Sequence, residues 1–240
     1  MEKLIHKSNT RGFFDHGWLR TYHSFSFADY YNPEKMNFGL LRVLNDDVVE
    51  PGEGFGTHPH KNMEIVTIPL KGELEHQDSA GHKEVVKFND IQNMSAGTGV
   101  YHSEYNASDK NIVSLLQIWV LPKELNIKPR YDQMTLNPQD RKNKINTFVS
   151  PETGKGKLWI NQDAYFSMCD LEKGKTITYN IKTHGNGLYI FLIEGEIQTA
   201  DENIFKRDGI GIWDINEVEV KAEKNSQILF IEVPMKENLN

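Results

Sequence analysis

Four side chains in this sequence have the types and the spacing of a metal-binding set. His58 and His60 lie two residues apart, and His102 and Glu104 repeat that spacing. Because successive side chains of an extended strand point to opposite faces, each pair shares one face of its strand. Two such strands facing each other would bring four donors together. Three imidazoles and a carboxylate suit a first-row transition metal, and a six-coordinate ion would keep two positions open for substrate and oxygen.

The residues around the first pair follow a known spacing. Gly52 stands six positions before His58, Glu64 follows His60 by four positions, and Gly72 follows Glu64 by eight. This arrangement resembles the first cupin motif, with one extra residue before the closing glycine. An isolated His-x-His pair is more typical of an ordinary polar strand, so it is this context that favours a metal site.

Longer segments resemble the pirin family. The resemblance is carried by DHGW at 15–18, YHSFSFADY at 22–30, HPHKNMEIVT at 58–67, LEHQDSAGH at 74–82 and SAGTGVYHSE at 95–104. It covers residues 10–130 tightly and the remainder loosely. It implies an all-β bicupin, in which two antiparallel, jelly-roll-like β-barrel domains pack face to face with the metal inside the N-terminal one.

The resemblance also implies a ligand set. The pirin pattern makes His58, His60, His102 and Glu104 the metal ligands, whereas the general cupin pattern nominates Glu64. Glu64 has the same parity as the first two histidines if one regular strand carries all three, so it stays as an alternative ligand or a residue behind the ligands. Glu104 is expected to be both ligand and catalytic base. One divalent transition metal is expected, with Fe(II) favoured and Mn, Co, Ni, Cu and Zn as alternatives.

Residues beside the ligands are predicted to shape a pocket. His76 lies on the strand after the first motif and is expected to face inward and orient a ligand or the substrate, although an ordinary hydrogen-bonded histidine is an open alternative. The first thirty residues are rich in aromatic side chains. Among them, His23, Phe25 and Phe27 are expected to line one side of the pocket, where aromatic faces suit a flat ligand. A packed hydrophobic flap is the competing and compatible interpretation.

Composition narrows the class of protein. The chain has 240 residues and a formal net charge of −7, and its 27 Lys and Arg residues form no basic cluster, which disfavours direct binding of nucleic acid. Its single cysteine, Cys169, excludes an internal disulfide. No apolar run near the first residue resembles a signal peptide or a membrane span, so a cytoplasmic monomer without membrane contact is expected.

The order of elements predicts two domains. Short strand-like runs separated by Gly, Asn and Asp turns indicate an all-β chain. Residues 122–157 are rich in proline and polar side chains, which predicts a long connector with a helical turn near 138–142. The division is therefore placed between 1–130, the metal-binding cupin domain, and 131–240, a cupin-like domain without metal ligands.

The second half is predicted to repeat the first. Matching the turn at Gly72 to the turn at Gly195 aligns the two halves, and a second match, at Asp90 and Asp208, places Val220 at the position of His102. The same match places Ala222 at the position of Glu104. On this alignment the second domain keeps the fold and lacks the metal.

Two functions follow from the resemblance. Pirins are associated with quercetin 2,3-dioxygenase activity, which implies an oxidoreductase that cleaves a flavonol ring using O2 and releases carbon monoxide. The substrate would be a small planar aromatic molecule. The alternative is a non-catalytic regulatory or redox-sensing module that binds a metal and a protein partner.

Overall fold

The computed structural model describes residues 1–154 and 156–236, and almost all of its regular structure is β-strand. The strands of the N-terminal part are β1 (Glu2–His6), β2 (Gly12–Asp15), β3 (Leu19–His23), β4 (Leu41–Val49), β5 (Gly54–His60), β6 (Glu64–Lys71), β7 (Glu73–Asp78), β8 (Lys83–Lys87), β9 (Asp90–Ser95), β10 (Val100–Asn106), β11 (Val113–Val120) and β12 (Arg130–Thr135). Those of the C-terminal part are β13 (Asn146–Ser150), β14 (Leu158–Trp159), β15 (Tyr165–Leu171), β16 (Thr176–Asn180), β17 (Asn186–Glu194), β18 (Glu196–Thr199), β19 (Glu202–Phe205), β20 (Gly209–Trp213), β21 (Glu217–Ala222) and β22 (Ser226–Pro234). Two short 3-10 turns, Ser8–Thr10 and Pro138–Asp140, complete the regular structure, and the second confirms the predicted helical turn.

The strands form four hydrogen-bonded sheets within the described part of the chain. The N-terminal half has a seven-stranded sheet in the order β12-β9-β6-β11-β4-β3-β2 and a four-stranded sheet in the order β5-β10-β7-β8. The C-terminal half has a seven-stranded sheet in the order β1-β20-β17-β22-β15-β13-β14 and a four-stranded sheet in the order β16-β21-β18-β19. The two halves therefore repeat one strand order, as the sequence predicted, although the edge pair β13 and β14 is parallel where β3 and β2 are antiparallel.

Two edge strands pair with a strand of the other half of the sequence. β1 begins the sequence but pairs with β20 in the sheet of the second half. β12 starts at Arg130, at the predicted division between domains, and pairs with β9 of the first half. The two halves are tied together by this strand and the β1 pairing, and the division between residues 130 and 131 stays a prediction.

Equivalent glycines close the same hairpin in the two halves. Gly72 joins β6 to β7 with φ +77°, and Gly195 joins β17 to β18 with φ +102°. Both angles lie in the left-handed region, which favours glycine. A side chain would also lack space, because a Cβ at Gly72 would lie 2.8 Å from the carbonyl oxygen of Ile112 and one at Gly195 would overlap Ser226.

The main hydrophobic core lies between the two seven-stranded sheets. It contains fully buried aromatic side chains from both halves, including Phe38, Phe148, Phe166 and Phe191. Burying one such side chain contributes roughly 1.5 to 3 kcal/mol, so this interface is a major source of stability. The predictions of an all-β chain and of face-to-face packing are confirmed.

Strand register corrects one detail of the sequence alignment. Glu104 pairs with His76, and its counterpart by register is Val220, which pairs with Thr199 at the same distance from the hairpin glycine. The sequence alignment placed Val220 at the position of His102, two residues away. The short motifs used for that alignment could not fix the register of this strand. Among the described residues, no helix is long and apolar enough to cross a membrane.

Candidate metal centre

Three histidines converge between β5 and β10. The strands are antiparallel neighbours, and His102 pairs directly with His58. The ring centroids lie 4.8 Å apart for His58 and His60, 4.4 Å for His58 and His102, and 4.8 Å for His60 and His102. One nitrogen from each ring lies within 4.8 Å of the others. The spacing of two residues on β5 and the direct pairing of His102 with His58 produce this convergence, as expected from strand geometry.

Hydrogen bonds leave one nitrogen free on two of these rings. Nδ1 of His58 lies 2.8 Å from the carbonyl oxygen of Gly56, so it carries the proton and donates it, and Nε2 is free. Nε2 of His102 is buried and has no hydrogen-bond partner. A buried polar atom without a partner costs roughly 1 to 3 kcal/mol, so an ion at this position would supply the missing interaction.

Glu104 adjoins the histidines at the back of the site. It belongs to a second group, with His76 and His102, whose donor atoms also lie within 4.8 Å of one another. Its Oε2 accepts a hydrogen bond of 2.9 Å from Nε2 of Gln117, while its Oε1 is buried without a partner. A shift of register between His102 and Glu104 on β10 adjusts the direction of the two side chains.

Burial keeps the imidazoles of His60 and His102 neutral. It lowers the pKa of His102 to about 2, with further lowering from neighbouring histidines, and lowers that of His60 to about 4, with a contribution from His58. Burial also raises the pKa of Glu104 to about 7, opposed by the hydrogen bond from Gln117. Metal-bound imidazoles must be unprotonated. The neutral rings, the free Nε2 of His102 and the free Oε1 of Glu104 therefore fit a transition-metal ion.

A polar row lies beneath these donors, and of its members only His23 was selected from the sequence. Direct strand pairing joins five side chains across the seven-stranded sheet: Gln92, Thr67, Gln117, Asn45 and His23. All five are buried, and all but Gln117 have a polar atom without a hydrogen-bond partner. The available signal was Gln117, the single amide in the otherwise largely apolar run 112–120.

The predicted aromatic residues divide between the site and the core. Trp119, which sequence reasoning did not select, contacts His60 with a centroid distance of 4.8 Å and Phe27 with 5.3 Å. Phe27 in turn contacts His23 at 5.2 Å. These three side chains form an aromatic wall that starts at the metal donors. Phe25 is instead fully buried in the core between the halves, so the structure does not bring it to the pocket.

Glu64 lies apart from both donor groups. The expectation of one regular strand is wrong, because β5 ends at His60 and β6 begins at Glu64, with a left-handed residue, Asn62 at φ 49°, between them. Oε2 of Glu64 accepts hydrogen bonds from Oγ of Ser95 at 2.8 Å and from the backbone N–H of Asn161 at 3.2 Å. These contacts give Glu64 a role in joining the two halves.

His76 lies where an orienting role requires it. Its Nδ1 lies 3.4 Å from Nδ1 of His102, and its ring centroid lies 5.2 Å from that of His102. It is fully buried. The orienting role of His76 stays a prediction.

Comparisons with known proteins agree with this geometry. Residues 5–120 match the family model described as Pirin, and residues 147–233 match the one described as Quercetinase C-terminal cupin domain. A protein of Escherichia coli named quercetin 2,3-dioxygenase is 41% identical over 230 residues, which cover 96% of this chain and 98% of that protein. A pirin-like protein of Caulobacter vibrioides is 36% identical, over 91% of this chain and 94% of its own length.

A solved structure shows the same fold with a metal. The bacterial pirin YhhW of Escherichia coli, in complex with nickel(II), is 40% identical and superposes with a TM-score of 0.92 over 97% of this chain and 99% of that one. The cupin architecture predicted from the sequence is confirmed by this match and by the family model of the C-terminal cupin domain. With this identity over nearly its full length, the chain belongs to the pirin family.

Proposed function

We propose that this chain is a metal-dependent dioxygenase that opens the ring of flavonols, with quercetin as the reference substrate. The proposal rests on one observation above all. The buried donors left without partners, His102 and Glu104, lie at the site where the pirin pattern predicts a metal, in a chain 41% identical to a protein named quercetin 2,3-dioxygenase. His58 and His60 complete the proposed ligand set.

The proposed ion is a single divalent transition metal, with Fe(II) first among the candidates. When bound, it supplies Lewis acidity toward the 3-hydroxyl of the substrate and redox chemistry toward O2. Nickel(II) in the relative from Escherichia coli supports a transition metal without deciding which one this chain uses.

Glu104 is proposed to accept the proton of the 3-hydroxyl. Burial raises its pKa to about 7, which places it close to the working pH of most enzymes, where a general base is most effective. Gln117 holds Oε2 at 2.9 Å and so leaves Oε1 to face the reaction. Because Oε1 is also the oxygen that fits the ion, it would serve either as ligand atom or as proton acceptor, one role in place of the other.

The aromatic wall is proposed to orient the planar substrate. Trp119 and Phe27 meet edge to face, with an interplanar angle of 89°, so they present both a ring face and a ring edge beside His60. Nε1 of Trp119 is buried and has no hydrogen-bond partner, which suits it to donate to an oxygen of a flavonol. The site therefore combines apolar faces with one directed donor, as small-molecule pockets do.

Access to the donors is proposed to come from the side of β5. His58 and His60 are half-buried, whereas His102 and Glu104 are buried. A substrate approaching past the first two histidines would meet the ion before it meets the proposed base. This order would keep Glu104 away from bulk water while the proton moves.

Anaerobic purification followed by metal analysis and oxygen uptake tests the proposal. We expect about one transition-metal ion per chain and uptake of O2 with quercetin, measured beside a panel of other flavonols and catechols. Full iron occupancy without any oxygen uptake would contradict the enzyme and favour a regulatory or redox-sensing module that binds a protein partner. Monomeric state and cytoplasmic location stay predictions.

A further inference from the structure

A carboxylate and two histidines connect the surface to one of the proposed metal ligands. Asp78, at the end of β7, lies between His76 and His82. Its side chain is only 2% exposed, that of His76 is fully buried, and that of His82 is 39% exposed. The ring of Tyr131 packs over both histidines, with centroid distances of 4.8 Å and 5.0 Å, and holds them in place.

The two oxygens of Asp78 share Nδ1 of His82, which lies 3.1 Å from Oδ1 and 2.9 Å from Oδ2, and each has further partners. Oδ1 accepts the backbone N–H of Ala80 at 2.9 Å and that of His82 at 3.1 Å. Oδ2 lies 3.2 Å from Nε2 of His76 and 2.9 Å from Nδ1 of His82. Burial alone would raise the pKa of Asp78, but the hydrogen bonds from His82 and His76 outweigh it and hold the pKa below its ordinary value. The ionised carboxylate can therefore only accept hydrogen bonds.

This fixes the tautomer of His76. Because Asp78 only accepts, the proton of the neutral His76 ring must be on Nε2, and Nδ1 must present a lone pair. Two donors lie close enough to meet that lone pair, namely Nδ1 of His102 at 3.4 Å and Nε2 of Gln92 at 3.3 Å. Both contacts require His76 to accept at Nδ1, where the two donors share the single lone pair in a bifurcated hydrogen bond.

We propose that Asp78 is a positioning residue that acts through His76 to hold His102 in the tautomer protonated at Nδ1, with Nε2 free to bind the metal. The inference rests on the proposed ligand role of His102, whose buried Nε2 has no other partner. Metal-bound histidines commonly donate their other N–H to a partner that fixes the ring. Here the partner is a second histidine, which is itself fixed by a carboxylate.

Replacing Asp78 by asparagine reverses the direction of the hydrogen bonds. The backbone N–H groups of Ala80 and His82 would keep the amide oxygen at the Oδ1 position, so the amide NH2 would face Nε2 of His76. His76 would then carry its proton on Nδ1 and offer a donor where His102 needs an acceptor. His102 would have to protonate Nε2, the nitrogen proposed to bind the metal.

The test is nickel(II) binding to the metal-free protein, measured by competition with a chelator. Asp78→Asn is expected to lower the affinity about 10- to 100-fold, the usual cost of losing such a partner. His76→Leu removes the same acceptor and should lower it by a similar factor. The double variant should lose no more than either single variant. Glu84→Gln is the matched control, since Glu84 is an exposed carboxyl on β8 directly opposite His76 on β7. This variant should bind nickel(II) as tightly as wild type.

Imidazole nitrogen NMR of the metal-free protein gives the second readout. Wild type should show the proton of His102 on Nδ1, and Asp78→Asn should move it to Nε2. Wild-type affinity in Asp78→Asn, an unmoved proton, or fully additive losses in the double variant would overturn the inference. His102→Ala distinguishes the underlying assignment, because unchanged affinity there would show that His102 is not a ligand. Neither readout depends on flavonol turnover.

Discussion

The two halves of the molecule share one strand order and differ in what fills the space between their sheets. In the first half the inward row across the large sheet is Gln92, Thr67, Gln117, Asn45 and His23. Strand register places Ile210, Ile190, Phe230, Ser167 and Thr147 at the same positions of the second half. Apolar side chains thus take the place of two of the three amides, Gln92 and Gln117, and of Thr67, while Asn45 and His23 correspond to the hydroxyl residues Ser167 and Thr147.

The polar side chains of the two rows differ in their hydrogen bonding. Ser167 and Thr147 hydrogen-bond to each other at 2.9 Å, while Asn45 and Thr67 each have a buried polar atom without a partner. Buried polar groups without partners are costly, and the second half shows that the fold does not require them. The comparison therefore assigns the polar interior of the first half to its chemistry.

The largest effect is expected when a proposed metal ligand of the first half is removed. His60→Ala should reduce the metal content from about one ion per chain to nearly none, because the opened donor set no longer holds the ion. His184→Ala, a histidine of the second half, should keep the full content. Metal analysis of both variants after identical purification provides the measurement. Two ions per wild-type chain, or retention in His60→Ala, would contradict the assignment of the metal to the first half.

The proposed base gives the next largest effect. Glu104→Gln should keep part of the metal and lose roughly 10²- to 10⁴-fold in single-turnover rate on quercetin, because an amide cannot accept the 3-hydroxyl proton. Glu64→Gln is the matched control, since Glu64 hydrogen-bonds to Ser95 and Asn161 away from the site. If Glu64→Gln lost the metal while Glu104→Gln stayed active, the ligand assignment would be wrong.

The pH dependence of the free energy of unfolding should show how much a buried carboxyl of the first half, Asp47, destabilises the fold. Burial raises the pKa of Asp47 to about 7, with further raising by Asp46 and Glu104. Because this folded-state value exceeds the unfolded one, the stability of the metal-free protein should be highest below about pH 4 for this group and fall as pH rises to about 7. Asp47→Asn should raise the free energy of unfolding by roughly 1 to 3 kcal/mol at pH 8 and change it little at pH 4.

Urea denaturation at the two pH values measures this difference. Glu219→Gln, an exposed carboxyl on β21 of the second half, is the control and should change the stability little at either pH. Equal stabilisation by Asp47→Asn at pH 4 and pH 8 would show that its burial cost does not come from ionisation.

The smallest expected effect is at the aromatic wall. Trp119→Phe keeps a ring beside His60 but removes the indole N–H, so KM for quercetin should rise about 2- to 10-fold, the value of one hydrogen bond, with kcat little changed. Trp213→Phe, which alters a tryptophan packed 6.0 Å from Phe38 at the core, should leave KM unchanged. Steady-state kinetics of both variants provide the measurement. Equal KM values for the two variants would show that the aromatic wall does not contact the substrate.

Strand spacing was sufficient to predict that His58, His60 and His102 converge, whereas Glu104 lies in a second group with His76 and His102. The alternation of side chains along a strand is enough to put His58 and His60 on one face, and the hairpin glycines, Gly72 and Gly195, indicate the repeat. Glu64 could not be placed in this way, because its position depends on where β5 ends. That break is set by three residues in a turn whose sequence gives no strong signal.

Local sequence patterns could not predict which side chains of distant strands come into contact. Trp119 and Gln117 reach the site only because β11 pairs between β4 and β6 opposite β10, and that sheet order is a property of the whole fold. Phe25 was misjudged for the same reason, since aromatic density alone does not distinguish a pocket wall from a core. The hydrogen-bond chain from His102 through His76 to Asp78 likewise depends on side-chain geometry.

Anomalous diffraction from crystals of the metal-loaded protein, collected at the absorption edge of the metal, tests the central claim most directly. If the metal binds in the first half, one anomalous peak per chain is expected, bounded by His58, His60 and His102. No peak is expected between the sheets of the second half. A peak in the second half, or a peak in the first half away from these three rings, would contradict the central claim.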